Sequence, residues 1–453
     1  MPGCRGPRER LLEDPIARAL LALLLLPGLA AAHIGAGAGD IDVIVPTGGT
    51  PSLALEAPWG LVVTDDRDDF RWICHEQLSS SGVDELPAFE IASDGTLLGV
   101  AGLLTGTLVA DESLYLSTNG GCDWEAVQGT TGRTVEDAAW HPTDATVALG
   151  VTSDRPTEGG DYANGVLRTT DGGATWTEVA SWSGVVLRSV VFGPGDVAYA
   201  LGVREEPVEA VLFRSGDRGD TWVERPLPEL GLESVLFGVI EAVDPIDADE
   251  VWLSFDGSVV DGLVRTTDGG ATFETLDVVD LVLDVTLRTD GSVWLVGGPR
   301  QVWYSADRVS FEQLEEAPQI WGGAEDGDRM TFAVNTLAHP EALVSTVDGL
   351  TFDLVLDVLE LDAPISCPAE SLSAQICEPL WEDLQRTLEL MRPRPSNPGD
   401  DDDSAAPTDD CEGCSASGSG HAGTAALLVL FLLLRRAQPQ RTFGSPSTGA
   451  TRR

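Results

Sequence analysis

The sequence contains no lysine, so its 27 basic residues are all arginine, and 74 aspartate and glutamate residues outnumber them. The formal net charge is −47 at pH 7. A surface of this sign repels the phosphate backbone of DNA or RNA, whereas it tolerates divalent cations and cationic surfaces. We therefore expect no nucleic-acid partner, and we interpret the acidic surface first as a solubilising one.

The sequence also has few of the residues that catalytic motifs require. It contains five histidines and four tyrosines, and it has no nucleophile elbow, phosphate-binding loop, zinc-protease motif or dinucleotide fingerprint. His141-Pro142 and His339-Pro340 stand at equivalent places between two predicted strands, which indicates turns. Acidic residues are so numerous that some pair can fall at the separation that glycoside hydrolysis needs, so this chemistry stays open.

Long helical patterns are scarce. Hydrophobic residues make up 43% of the chain, with 50 glycines and 27 prolines, and Val, Leu, Trp and Thr recur in short runs. This composition favours an all-β fold of short strands and turns. Only residues 364–391 have a helical period, with Leu380, Leu384, Leu388 and Met391 on one side and Trp381 nearby. We expect residues 363–392 to form a helical segment on the rim of the body, although a partner-binding helix is the alternative.

The N-terminal 32 residues have the pattern of a secretory signal peptide. Three arginines within the first ten residues precede the apolar run of residues 17–26, and Ala30, Ala31 and Ala32 supply small residues for a signal peptidase. An N-terminal membrane anchor is the alternative, although the apolar run is short for a membrane span. We expect an exported protein.

The C-terminal residues predict a linker followed by an anchor. Residues 393–410 are rich in Pro, Ser and Asp, including four consecutive aspartates from Asp400, and such a segment cannot bury enough apolar surface to fold. Cys411 and Cys414 follow, then a spacer, the apolar run 425–434 and two arginines. We expect residues 437–453 to be a disordered tail.

The order of Cys411 and Cys414, a short apolar helix and the pair Arg435 and Arg436 resembles the MYXO-CTERM surface-sorting tail of myxobacteria and their relatives. The resemblance covers residues 411–436. It implies a sorting protease that cuts near the cysteines and a mature protein held at the outer cell surface through its C-terminal tail. A plain single-pass anchor is the alternative, although the apolar run is half the usual span.

A short segment recurs seven times in the middle of the chain. Two copies, Thr169 to Trp176 and Thr266 to Phe273, are nearly identical, and Ser117 to Trp124 and Ser215 to Trp222 follow the same S/T-x-D/N-x-G-x-x-W/F plan. Ser345 to Phe352 keeps the glycine and the aromatic residue but has Val347 at the expected aspartate position. Two shorter copies without the glycine are Thr64 to Phe70 and Ser305 to Phe311.

Successive copies are 39 to 53 residues apart, which is the length of a propeller blade. The motif resembles the Asp-box, or BNR, repeat of sialidases, sortilin-type receptors, photosystem-assembly propellers and some glycoside hydrolases. The resemblance covers roughly residues 41–362. It implies that residues 33–362 form a single β-propeller of about seven four-stranded blades.

The residue types of the motif have a structural explanation. A turn aspartate accepts hydrogen bonds from backbone N–H groups further along the chain, glycine permits positive φ, and the aromatic residue buries a large apolar face between blades. We therefore assign no catalytic role to these residues and expect structural ones. The set is Asn119, Trp124, Asp171, Trp176, Asp217, Trp222, Asp268, Phe273, Gly349 and Phe352.

Seven cysteines indicate a compartment outside the cytoplasm. Cys4 lies in the leader and Cys411 and Cys414 in the tail, which leaves four in the body. Neighbouring blades hold Cys74 and Cys122, while Cys367 and Cys377 are ten residues apart after the propeller. We therefore predict the disulfides Cys74–Cys122 and Cys367–Cys377, among three possible pairings.

Two acidic clusters are the remaining cation candidates. They comprise Asp65, Asp66, Asp68 and Asp69, and Asp244, Asp247 and Asp249. Neither has EF-hand spacing, so we expect solvated turns that hold Ca²⁺ weakly at most, and we predict no cofactor and no metal site.

Two functions from different classes fit these observations. The first is a surface-displayed or secreted propeller that acts as a binding or scaffold module for an extracellular protein or glycan. The second is a secreted glycoside hydrolase, sialidase-like or glucan-degrading. A sialidase would need a Phe-Arg-Ile-Pro-type stretch, which is absent from the sequence.

Overall fold

The computed structural model describes residues 42–78, 88–100, 114–130, 133–153, 163–205, 208–227, 235–257, 262–279, 281–298, 301–334 and 341–391. These residues form seven antiparallel sheets, each built from consecutive strands of the chain. Together the sheets are the blades of a seven-bladed β-propeller. The predicted all-β propeller of four-stranded blades is confirmed.

Each blade contains four strands in chain order. Blades 1 to 3 are built from β1 (Asp42–Ile44), β2 (Leu53–Ala57), β3 (Gly60–Thr64), β4 (Arg71–Ile73), β5 (Ala88–Ile91), β6 (Leu97–Val100), β7 (Leu114–Ser117), β8 (Glu125–Ala126), β9 (Val135–Trp140), β10 (Ala148–Thr152), β11 (Ala163–Thr169) and β12 (Thr177–Ser183). Blades 4 and 5 are built from β13 (Val185–Phe192), β14 (Ala198–Glu205), β15 (Val208–Ser215), β16 (Val223–Pro226), β17 (Val235–Val243), β18 (Val251–Gly257), β19 (Gly262–Thr266) and β20 (Glu274–Leu276). Blades 6 and 7 are built from β21 (Val282–Leu287), β22 (Val293–Gly297), β23 (Val302–Ser305), β24 (Glu312–Gln313), β25 (Ile320–Asp326), β26 (Arg329–Val334), β27 (Glu341–Thr346) and β28 (Asp353–Asp357).

The first strands of the blades surround the propeller axis. β9 contacts β5 and β13, and the contacts continue from β13 through β17, β21 and β25 to β1. The second strands consist mostly of Ala, Leu and Val and are buried between blades, as in β2, β10 and β22, where every residue is buried. The fourth strands are mostly exposed, as in β12 and β16. This gradient from buried to exposed positions explains why the strand pattern is readable in the sequence.

The four antiparallel strands of each terminal blade are consecutive in the chain. Blade 1 contains β1 to β4, and blade 7 contains β25 to β28. β1 contacts β25, and the Arg67 guanidinium of blade 1 pairs with the Asp326 carboxylate of blade 7. After blade 7 the chain returns to blade 1, where β29 (Ala363–Pro364) adds a parallel fifth strand beside β4.

The C-terminal helix α1 covers Leu372–Met391. The predicted helical segment therefore begins too early, because its first residues extend along blade 1 as β29. Leu384 and Leu388 are buried in the same core cluster as Trp72, and the Trp381 ring lies 5.7 Å from that of Trp72. The apolar stripe thus packs on the propeller, as expected of a rim segment, and is not free to act as a docking surface.

The two disulfides join this C-terminal segment to blades 1 and 2. They are Cys74–Cys377 and Cys122–Cys367, so the predicted pairing of the four body cysteines is wrong. The prediction assumed that neighbouring blades, or residues near in sequence, would pair. Instead the returning chain crosses the outer edge of blade 1 and reaches the turn of blade 2, where Ser373 N–H donates to the Cys122 carbonyl at 2.9 Å.

The remaining sequence predictions lie outside the described residues. They are the signal peptide over residues 1–32, the linker over 393–410, the sorting tail over 411–436 and the final tail over 437–453. Within the described part of the chain, no helix is both long enough and apolar enough to cross a membrane.

Candidate functional site

The turn between the third and fourth strands of each blade, here called the repeat turn, is held by its own side chains. In blade 3 the Asp171 carboxylate accepts from Thr175 N–H at 2.9 Å, and the Thr169 hydroxyl donates to Asp171 and accepts from Gly173 N–H at 3.0 Å. Asn119, Asp217 and Asp268 accept the equivalent N–H bonds in blades 2, 4 and 5. The acceptor atoms of these side chains are thus used within the turn.

The predicted copy of the motif in blade 7, Ser345 to Phe352, starts one residue too early. The repeat turn of this blade begins at Thr346, the last residue of β27, and not at Ser345, so Asp348 and not Val347 occupies the aspartate position. Asp348 accepts from Leu350 N–H at 2.9 Å and Thr351 N–H at 3.0 Å. Blades 1, 6 and 7 therefore share a repeat turn one residue shorter than that of blades 2 to 5.

The aromatic residue and the glycines of each repeat turn join it to its surroundings. Trp124 and Trp176 are buried, and Trp176 Nε1 donates to the Gly173 carbonyl at 3.0 Å. Trp222, Phe273 and Phe352 are partly buried against their core clusters. At Gly173, where φ is +86°, an added Cβ would lie 2.8 Å from Leu116 of the preceding blade. Only glycine fits there, because both the backbone conformation and the packing exclude a side chain.

Three repeat turns carry an arginine with positive φ that sequence reasoning missed. Arg67, Arg218 and Arg308 occupy positions where the other turns have glycine. Each reaches a carboxylate of the preceding blade: Arg218 Nη1 lies 2.7 Å from Asp144, Arg308 pairs with Asp244, and Arg67 pairs with Asp326. The signal is an Asp-Arg dipeptide in the motif, at 66–67, 217–218 and 307–308.

The turn carboxylates are held ionised by these contacts. Hydrogen bonds from Asp69 and Asp68 lower the pKa of Asp66, and those from Ser310 and Val309 lower the pKa of Asp307 to about 2. Each of the two acidic clusters of the sequence has a carboxylate with a partner inside the protein, since Asp66 accepts hydrogen bonds within its own turn and Asp244 pairs with Arg308. Over the described ranges, no group of three or more His, Cys, Asp or Glu is arranged to hold a metal ion.

A second set of carboxylates converges on the propeller axis. The axial carboxylates are Asp42, Glu90, Asp137, Glu241 and Asp284, on the first strands of blades 1, 2, 3, 5 and 6. Asp137 and Asp284 occupy the same register, three residues before the last residue of β9 and β21. Sequence reasoning missed this set, because nothing local distinguishes these residues from other acidic positions in strands.

Side chains on the first strands form hydrogen bonds and an ion pair with the next blade. Asp137 Oδ2 accepts from Val190 N–H at 2.8 Å, and Asp284 Oδ2 accepts from Gly323 N–H at 2.9 Å. The Ser189 hydroxyl oxygen accepts from Ile240 N–H at 3.3 Å in the same manner. Beside Asp137, Glu136 pairs with Arg188 of blade 4 at 2.7 Å. Asp137 and Asp284 therefore brace adjacent blades near the axis.

Three of the axial carboxylates, Asp137, Glu90 and Asp284, have a raised pKa and retain protons more strongly than ordinary ones. Burial raises the pKa of Asp137 to about 7, against the opposing effect of the Val190 N–H bond. Burial, together with the charges of Asp137 and Asp42, raises the pKa of Glu90 well above its usual range. Burial and the charges of Asp42 and Glu241 do the same for Asp284. Each of these three side chains is half-buried, and the partial loss of water around its carboxylate is the main cause of the raised pKa.

We expect Asp137→Asn to stabilise the protein at neutral pH by about 2 kcal/mol and to have little effect near pH 4. Folding raises the pKa of Asp137 to about 7, so the folded state keeps a proton that the unfolded chain releases. The stability from this proton is fully present below about pH 4 and is lost as the pH rises toward 7. An asparagine cannot ionise and still accepts the Val190 N–H bond. Urea unfolding of both proteins at several pH values measures the difference.

Asp171→Asn is the matched control, because the Thr175 hydroxyl and N–H lower the pKa of Asp171. This variant should be less stable than the parent above pH 4, and the deficit should shrink as the pH falls through the lowered pKa. A loss of stability at every pH in Asp137→Asn would contradict the inferred proton on Asp137.

Two solved structures of propellers illustrate what this chain is similar to. YCF48 from Cyanidioschyzon merolae is 14% identical, with a TM-score of 0.44 over 66% of this chain and 94% of that one. The Hadza microbial sialidase Hz136 is 14% identical, with a TM-score of 0.36 over 54% of this chain and 62% of that one.

An ancestral GH74 enzyme is also 14% identical, with a TM-score of 0.41 over 55% of this chain. This chain covers about a third, 34%, of the length of that enzyme. No family model and no curated protein matches the sequence.

Proposed function

We propose that this chain is an exported propeller of the Asp-box type that acts as a binding or scaffold module for an extracellular protein or glycan. The observation that carries the proposal is how its carboxylates are used. Those of the repeat turns accept hydrogen bonds from their own turns, and Asp137 and Asp284 accept main-chain N–H groups of the next blade. Side chains that brace blades are poor candidates for turnover, so recognition through the surface is the function best supported.

The disulfides support the proposed location. Cys74–Cys377 and Cys122–Cys367 lie within one small body, and such bonds persist in oxidising compartments. Export through residues 1–32 and surface attachment through residues 411–436 are parts of the same proposal. The body would be residues 33–362 with the rim segment 363–392, displayed on the linker 393–410.

The proposed location at the cell surface can be tested separately. Expressed in a myxobacterial host, the full chain should reach the cell surface, and Cys411→Ser with Cys414→Ser should release or mislocalise it, because the sorting protease would lose its site. Surface protein is measured by antibody labelling of intact cells. If the double variant stays anchored as the parent does, the tail is a simple membrane anchor.

A secreted glycoside hydrolase is the second candidate, favoured by one observation. A carboxyl group whose pKa is raised to about 7, as for Asp137, is suited to act as a general acid at neutral pH. In this case another axial carboxylate would serve as the nucleophile or base.

A glycan array and hydrolysis assays on sialosides and β-glucans separate the two candidates. The binding proposal expects retained ligand with no released sugar, and it expects Asp137→Asn to bind as the parent does. Release of sugar that disappears in Asp137→Asn, while the variant remains folded, would replace the binding proposal by the hydrolase.

A further inference from the structure

Large apolar side chains are exposed on one face of three consecutive blades. Ile246 in the turn between β17 and β18 is 69% exposed, and Val309 in the repeat turn of blade 6 is 75% exposed. Val347 and Leu350 in the repeat turn of blade 7 are 55% and 73% exposed. First-to-second and third-to-fourth turns lie at the same end of an antiparallel blade, so all four side chains share one face. We call these four residues the apolar row.

Packing between neighbouring blades positions the turns that carry the row. Asp244 accepts from Ile246 N–H at 2.7 Å and also pairs with Arg308, the residue before Val309. The repeat turn of blade 7 rests on blade 6, since a Cβ added at Gly349 would lie 2.9 Å from Trp294. Neighbouring blade ends, from blade 5 through blade 6 to blade 7, therefore each carry members of the row.

The turn geometry does not require apolar residues at these places. In the short repeat turn of blade 1, Asp68 occupies the position of Val309 and Leu350, and its N–H group makes the same bond to the turn aspartate at 3.0 Å. In blade 3, Thr143 in His-Pro-Thr-Asp-Ala occupies the place of Ile246 in Asp-Pro-Ile-Asp-Ala. Polar residues thus satisfy the same backbone, and a cluster of exposed apolar side chains marks an interaction surface.

The acidic residues beside the row favour a positively charged partner. Asp307 and Asp348 lie within the same two turns, and Asp247 follows Ile246 directly. A second copy of this chain would bring another −47 charges to the interface, so self-association is disfavoured. A basic partner meets both the apolar and the acidic features.

We infer that the apolar row binds a basic protein segment whose apolar side chains are flanked by arginine or lysine. This inference rests on the proposed binding function and names the partner class for it. Apolar anchors would supply the affinity, while the flanking aspartates would select for positive charge and make binding weaken with salt.

The test uses a display library of random peptides selected on the full-length exported chain. We expect enriched peptides to combine Leu, Val, Phe or Trp with Arg or Lys. Their affinity should fall at least about tenfold in Val309→Ser/Leu350→Ser, and it should also fall at high salt. The matched control is Val208→Ser/Val223→Ser, because these valines are 61% and 52% exposed but lie in strands of blade 4 outside the row. Thermal unfolding verifies that both variants fold.

The other outcomes overturn the inference in distinguishable ways. Peptides that bind both variants as they bind the parent, or peptides without basic residues, would show that binding occurs elsewhere, and the general binding function would stand. Glycan binding without any selected peptide would have the same meaning. A dimer in sedimentation that Val309→Ser/Leu350→Ser dissolves would assign the row to a second copy. Failure of both the library and the glycan array would remove the inference and the proposed function together.

Discussion

Replacing Cys74 and Cys377 together by serine is expected to lower the free energy of unfolding by about 4 kcal/mol. With Cys122–Cys367 intact, the loop that Cys74–Cys377 closes runs through residues 74–122 and 367–377, and opening it restores chain freedom to the unfolded state. It also frees the C-terminal segment that packs on blade 1. Trp381 lies beside Trp72, so tryptophan fluorescence during urea unfolding reports both the release of α1 and the unfolding of the propeller.

The tail cysteines provide the control for this experiment. Cys411→Ser with Cys414→Ser should leave the unfolding curve of the propeller unchanged. Peptide mapping without reduction tests the premise, since it should recover Cys74 joined to Cys377 and Cys122 joined to Cys367. An unfolding curve unaffected by the Cys74 and Cys377 substitutions would mean that this bond contributes nothing to the fold.

The second large effect is expected from Arg308→Met, with a loss of about 3 to 5 kcal/mol in the free energy of unfolding. Arg308 pairs with Asp244 and lies 2.6 Å from Glu250, whose side chains are only 3% and 8% exposed. Methionine keeps much of the side-chain volume but leaves the buried Asp244 carboxylate without its arginine, while Glu250 keeps Arg265 at 3.2 Å. Burial of an uncompensated charge is among the costliest of single changes.

Arg386→Met is the matched control, because Arg386 pairs with Asp383 on the exposed face of α1, where the two side chains are 66% and 68% exposed. Its effect should be below about 1 kcal/mol. Similar losses in both variants would refute the role assigned to the buried cluster.

Local physics explains why much of the fold could be predicted. A repeat turn is specified by residues within eight positions of one another, such as Thr169 to Trp176, and its carboxylate finds its partners there. The same applies to the second strands, whose runs of Val, Leu and Ala record their burial. The predicted start of the blade 7 turn is wrong by one residue, because two adjacent hydroxyl residues, Ser345 and Thr346, both fit the first position of the motif.

The disulfide pairing, which was predicted wrongly, and the axial carboxylates, which were not predicted, both depend on residues far apart in the chain. The pairing of Cys122 with Cys367 requires the chain after blade 7 to return across blade 1 to blade 2, and no local signal encodes that path. The axial carboxylates meet only because the first strands of different blades share one axis. The raised pKa values of Glu90 and Asp284 likewise come from burial and from the charges of other axial carboxylates on different blades.

The sequence by itself thus determined the all-β class, the number of blades, the turns that separate their strands and the acidic, lysine-free surface. Each of these follows from composition or from contacts within one blade. Only the tertiary structure decided how the ring closes, which cysteines pair, which carboxylates surround the axis and which exposed apolar side chains share one face of the propeller. These depend on the order of blades in space, since a contact between blades joins residues whose separation in sequence carries no information about their distance.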